Sequence, residues 1–193
     1  MAFVQYDGSI RLANGYQKTV GNPWENGYLG VGQSLSNGSG DMVGAYAATT
    51  NHEKQTKWII SKVASSGSDG LVYSGDQVTL KNGFDGTYLG MFTDNHVDNG
   101  GYKLQSFTST AMPGVTINWT VFKYSAQPKT NDSRLSDTDV IYLVATFSSG
   151  IGTLSGILDT NGYGASQGFQ YLITGARLLN RDNGSGLWQV FAS

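Results

Sequence analysis

Apolar and polar residues alternate in short runs along this chain, and breaks rich in Gly, Asn and Asp separate the runs. Ile10-Arg-Leu12 and Val78-Thr-Leu80 place aliphatic side chains at every second position, the period of a strand with one buried face. Ile141-Tyr-Leu143 repeats that alternation late in the chain. A second set of strands centres on Tyr28-Leu29-Gly30 and Tyr88-Leu89-Gly90, with Thr153-Leu154-Ser155 as a degraded third copy. A weaker third set covers 42–47, 102–107 and 171–176. A fourth opens at a tryptophan each time: Trp58 in WIISKV, Trp119 in WTVFKY and Trp188 in WQVFAS. The turns NGSGD, DNGG, GYGASQG and RDNGSG carry the expected punctuation.

The sets recur in order. Leu29 precedes Trp58 by 29 residues, Leu89 precedes Trp119 by 30, and Leu154 precedes Trp188 by 34. Three four-stranded units follow, over residues 5–63, 71–124 and 138–192, joined by the polar stretches 65–70 and 125–139. All belong to one domain spanning 1–193. Twelve strands do not stay flat as one sheet, and closing them into a barrel removes the exposed edges. The repeated YLG and Trp strands resemble the β-trefoil lectin superfamily, of the ricin-B-like or fungal agglutinin type. That resemblance implies an all-β fold of three four-stranded lobes with pseudo-threefold symmetry. None of the three segments carries the Gln-x-Trp of ricin-type lobes. A β-sandwich is the other arrangement compatible with the same strands.

Composition narrows the function. Charged residues are 13% of the 193, too few for long solvent-facing helices, and 27 glycines fit many tight turns. The net charge of −2, with no basic cluster, argues against nucleic acid and against anionic membranes. The absence of cysteine removes thiol nucleophiles and Cys-ligated zinc. The opening MAFVQYDGSIRL has no basic-then-apolar segment, and no apolar run nears the ~20 residues of a membrane span. The expectation is a cytoplasmic protein, or one released without a signal peptide, that does not insert into membranes. No phosphate-binding loop, dinucleotide fingerprint, zinc-protease motif or nucleophile elbow occurs. The chain is therefore expected to be no enzyme and to use no cofactor.

Candidate sites follow from the repeat. The resemblance implies sugar contacts after the second strand of each lobe. The positions six after the Tyr of YLG, or its counterpart, are Ser34, Asp94 and Asp159. Asn37 and Asp41 accompany the first, Asn95 and His96 the second, Asn161 and Tyr163 the third. Carboxylates and amides supply fixed hydrogen bonds to hydroxyls, and an aromatic ring supplies a flat platform for a sugar's C–H face. Singly, each Asp or Asn reads more readily as a turn former bonding its own backbone, and the repeated placement is what favours the sugar reading. Asp94, His96 and Asp98 alternate as a small-cation site would, or as a polar hairpin. Trp24, in the inserted GNPWENG, is either an exposed stacking platform or an apolar plug over the barrel end. These residues imply a carbohydrate-binding lectin with glycans or glycoproteins as partners, multivalent if several lobes bind, and compatible with a homodimer. A β-trefoil protease inhibitor acting through 125–139 or the Trp24 insertion is the alternative. The cell-targeting module of a defence toxin is a third.

Overall fold

The computed structural model describes residues 2–18, 23–35, 40–96, 101–108, 110, 112–124, 131–150, 152–164, 168–179 and 181–192; the side chains of Asn95 and His96 lie outside that set. Among the described residues there are thirteen strands and no helix. They are β1 (Ser9–Asn14), β2 (Tyr28–Ser34), β3 (Asp41–Tyr46), β4 (Trp58–Ala64), β5 (Gln77–Asn82), β6 (Tyr88–His96), β7 (Tyr102–Phe107), β8 (Val115–Thr116), β9 (Trp119–Tyr124), β10 (Val140–Ser149), β11 (Gly152–Tyr163), β12 (Phe169–Ala176) and β13 (Trp188–Ala192). β5 alternates half-buried and buried positions without a break, as the Val78-Thr-Leu80 pattern predicts.

The β-trefoil expectation of three four-stranded lobes is corrected. The strands close into a ten-stranded antiparallel barrel, in the order β1-β2-β3-β12-β7-β6-β5-β9-β10-β13, with β4, β8 and β11 outside that circuit. The units are not self-contained, because backbone groups at their edges bond across segment boundaries. β3 pairs with β12, β12 with β7, β4 with β5, β9 with β10 and β13 with β1. Nor are the segments equivalent in size. The middle one contributes the extra strand β8, and β10 and β11 pair from Val144↔Ile157 to Ser149↔Gly152, whereas β1 meets β2 only at Ala13↔Tyr28. The sandwich alternative fails as well, since one network links every strand.

A side-chain contact does repeat. Trp58, Trp119 and Trp188 are fully buried, and their indole N–H groups donate to the backbone carbonyls of Leu29, Leu89 and Leu158, each at 2.9 Å. Burying an indole without a partner for its N–H is costly, so the pairing fixes where each tryptophan sits. The third partner is Leu158, four residues beyond the Leu154 that the sequence spacing indicates. The cause is the length of the β10–β11 ribbon, whose strands run to 10 and 12 residues. The three leucines join Ile10, Leu12, Ile60, Leu80, Val121, Leu143 and Val190 in the main core.

Candidate functional site

The chain turn after β1, the end of β11, the start of β12 and the loop before β13 meet at one place. Asn14, fully buried at the end of β1, organises it. Its amide nitrogen donates to the carbonyls of Ser185 (2.7 Å) and Leu187 (3.3 Å). Its side-chain oxygen accepts from the Tyr16 amide (2.9 Å) and the Thr160 hydroxyl (3.3 Å). The Gln17 amide donates to the Asn183 carbonyl at 2.9 Å, and Gly15 and Gly184 touch backbone to backbone. One short amide side chain thus ties together segments separated by more than 140 residues in sequence.

On β11 the pairing with β12 runs regularly to Thr160↔Ile173 and resumes at Tyr163↔Tyr171, with a bulge between. Gly162, at φ +80°, sits in the bulge, where a β-carbon would be strained although the space is open. Bulges re-aim side chains and are common beside functional sites. This one sets Tyr163 opposite Tyr171, ring centroids 5.8 Å apart, while Tyr16 meets Tyr171 edge-on at 5.9 Å. Tyr163 is 75% exposed. Together Tyr16, Thr160, Gly162, Tyr163, Tyr171, Asp182 and Ser185 line a groove of about 230 Å³.

Behind the groove lies a buried ionic floor. Asp159 is fully inaccessible; its carboxylate accepts from the Ser185 hydroxyl (3.0 Å) and from Arg181 Nη2 (3.3 Å). Burial pushes Asp159 up to about 6, more than the Ser185 bond and the Arg181 charge pull it down. The Arg181 guanidinium also donates to the Thr160 carbonyl (2.8 Å) and to the Asn161 side-chain oxygen (3.4 Å), and its Nε lies 2.9 Å from Asp182 Oδ2. Burial likewise raises the Tyr171 phenol above its ordinary value, helped by the neighbouring Tyr163 and Tyr16.

The sequence candidates fare unequally. Asp159, Asn161 and Tyr163 do converge, but in different roles. Tyr163 lines the groove, Asp159 is its hidden floor, and Asn161 faces a neighbouring apolar hollow of about 370 Å³ that also touches Leu172 and Leu104. Counting from Leu158, the position matching Ser34 and Asp94 is Tyr163 and not Asp159. Ser34 and Asp94 are exposed at or near strand ends, and neither lines a described groove. Asp41 is buried, its backbone N–H taking the Ser106 hydroxyl at 2.9 Å; burial, then the adjacent Asp85 carboxyl, lifts it to about 6. It opens β3, paired with Ser34 of β2. Asn37 and Asp98 lie outside the described residues, as do the side chains of Asn95 and His96. Among the described residues no group of three His, Asp or Glu side chains could hold a metal ion.

Trp24 is a correction. It is buried, not an exposed platform, and it packs on Ala13, Val140 and Leu187 against the outside of the barrel. Gly15 lets its ring approach the β1 backbone, and the Trp24 backbone N–H donates to Gln189 Oε1 at 2.7 Å. Of the groove itself, sequence reasoning missed Tyr16, Tyr171, Asp182 and Ser185, along with Arg181 behind it. The available signal was RDNGSG, which holds an acid, a base and a hydroxyl yet reads as a turn.

No protein-family model matches this chain, and no curated protein is similar to it in sequence. Solved structures share its fold. An SDF2-like protein from Arabidopsis thaliana superposes with a TM-score of 0.67 at 16% identity, covering 98% of this chain and 94% of that one. A Caenorhabditis elegans protein of unknown function gives 0.65 at 18%, covering 98% and 96%. A protein O-mannosyltransferase complex from S. cerevisiae, bound to the sugar donor, gives 0.65 at 14%; the match covers 98% of this chain but a quarter, 25%, of that one. At such identities the likeness is one of fold.

Proposed function

We propose that this chain binds carbohydrate noncovalently in the groove between Tyr16, Tyr163 and Tyr171. The observation that carries the reading is the meeting of three phenol rings with the Thr160, Asp182 and Ser185 oxygen groups around a space sized for one sugar ring. A sugar needs both an apolar face to stack on and directional partners for its hydroxyls, and this lining offers both. The burial of Asn14 and Asp159 pre-organises it, which lowers the entropy cost of binding. The reading covers one site, because the candidates in the other two segments are not drawn into comparable grooves among the described residues. A glycan array followed by calorimetric titration of its hits tests it. Binding in the micromolar to millimolar range is expected, and Tyr163→Ala should abolish most of it. An empty array at millimolar sugar, or unchanged titrations with Tyr163→Ala, would overturn the reading.

A further inference from the structure

We propose that the sugar this groove prefers is a basic one, an amino sugar with a free ammonium, selected by Asp182 and the three tyrosine rings. This rests on the carbohydrate reading above. Among the seven residues that line the groove, Asp182 carries the only formal charge. Its side chain is 56% exposed, so the carboxylate is presented to solvent at the groove wall.

The neighbouring cation only partly balances it: the single Arg181 guanidinium is shared between Asp182 (2.9 Å) and the buried Asp159 (3.3 Å), so the cluster of two carboxylates and one cation stays net negative. Arg181 spends its donors on Asp159, the Thr160 carbonyl and Asn161, and its Nε lies against Asp182 itself. An acidic sugar needs a guanidinium or ammonium with donors to spare. Here it would meet a committed arginine and a facing carboxylate. A cation meets the reverse: the negative face of each aromatic quadrupole attracts it, and a carboxylate stands beside the rings. The planes of Tyr163 and Tyr171 differ by 37° and those of Tyr16 and Tyr171 by 75°, so the rings wall the groove from more than one side. Neutral sugars can stack on the same rings and donate a hydroxyl to Asp182, but they bring no opposite charge to it or to the ring faces.

The test is titration of the protein at pH 7 with glucosamine, glucose, N-acetylglucosamine, glucuronic acid and choline, followed by the Tyr163 ring resonances. Glucosamine should bind roughly tenfold tighter than glucose or N-acetylglucosamine, and glucuronic acid weakest. Asp182→Asn should bring the glucosamine-to-glucose ratio close to one. Tyr163→Ala, which alters an exposed ring and is followed at the Tyr171 ring resonances instead, should weaken glucosamine more than glucose and serves if the Asp182 variant fails to fold. Glucose binding as tightly as glucosamine, or a ratio that survives Asp182→Asn, overturns the selectivity while leaving carbohydrate binding intact. Choline binding as tightly as glucosamine, or no sugar shifting Tyr163 at all, overturns both.

Discussion

Replacing Asp159 with Asn should make this protein more stable at neutral pH, and stability should then depend less on acid. Asp159 is fully buried, and its folded-state value of about 6 stands above the ordinary 3.8. The native state therefore holds a proton that the unfolded chain has released, between about pH 4 and pH 6. Stability from this group is fully present below the unfolded value and is lost as pH rises through the folded one. Two units at about 1.4 kcal/mol each put the cost of keeping the carboxylate ionised at about 3 kcal/mol at pH 7.5. An amide has no such cost, and its oxygen can still accept from Arg181. Asp41, raised for the same reason, adds a slope of the same sign that the substitution leaves in place. Asp76 works the other way: donors from Tyr6, Ser65, Ser66 and Tyr73 outweigh its burial and hold it below the usual range, so its effect falls at pH below 3.8 and does not blur the window. Urea unfolding of both proteins at pH 4.5 and 7.5 is the assay. The variant should be about 1 kcal/mol more stable than wild type at pH 4.5, where most of the unfolded carboxylate is already ionised, and about 3 kcal/mol more stable at pH 7.5. A variant less stable than wild type at pH 7.5, or an unchanged difference between the two pH values, would refute the argument.

Three further outcomes are expected. Tyr163→Ala should leave stability within about 0.5 kcal/mol, since the ring is mostly in water, while weakening sugar binding roughly tenfold; denaturation and calorimetry on one preparation check both. Trp119→Phe should cost about 2–4 kcal/mol in urea unfolding, because it opens a cavity in the core and strips the Leu89 carbonyl of its donor. Gly40→Ala should cost about 2 kcal/mol or more: the residue holds φ +151°, and a β-carbon there would overlap the Ser106 carbonyl oxygen, so a lowered thermal midpoint is the readout.

Much of the strand plan was legible. The YLG and Trp motifs start β2, β4, β6, β9 and β13, and 102–107 is β7 to the residue. The third copy misled, because Leu154 lies in β11 but Leu158 makes the indole contact. A longer hairpin preserves alternation while shifting the equivalence, and alternation is all a sequence displays. The loop-forming neighbours of Trp24 leave it open between exposed platform and apolar plug, and it is Gly15, leaving room for its ring against β1, that allows its burial. The site was half visible. Tyr163 and Asp159 sit on one strand near a recognisable turn, whereas Tyr16 and Tyr171 belong to it only through strand pairing and the reach of Asn14.

By itself, the sequence determined that the chain is all-β, where most strands begin, and which three tryptophans anchor the interior. These follow from local periodicity and from the need to bury indoles with their N–H groups satisfied. Only the tertiary structure decided that the strands close into a ten-stranded barrel, that Trp24 is packed away, and that rings from residues 16, 163 and 171 face Asp182. Strand partners are chosen by unpaired backbone groups at edges that lie far apart in the chain, and no local pattern encodes which edge will meet which.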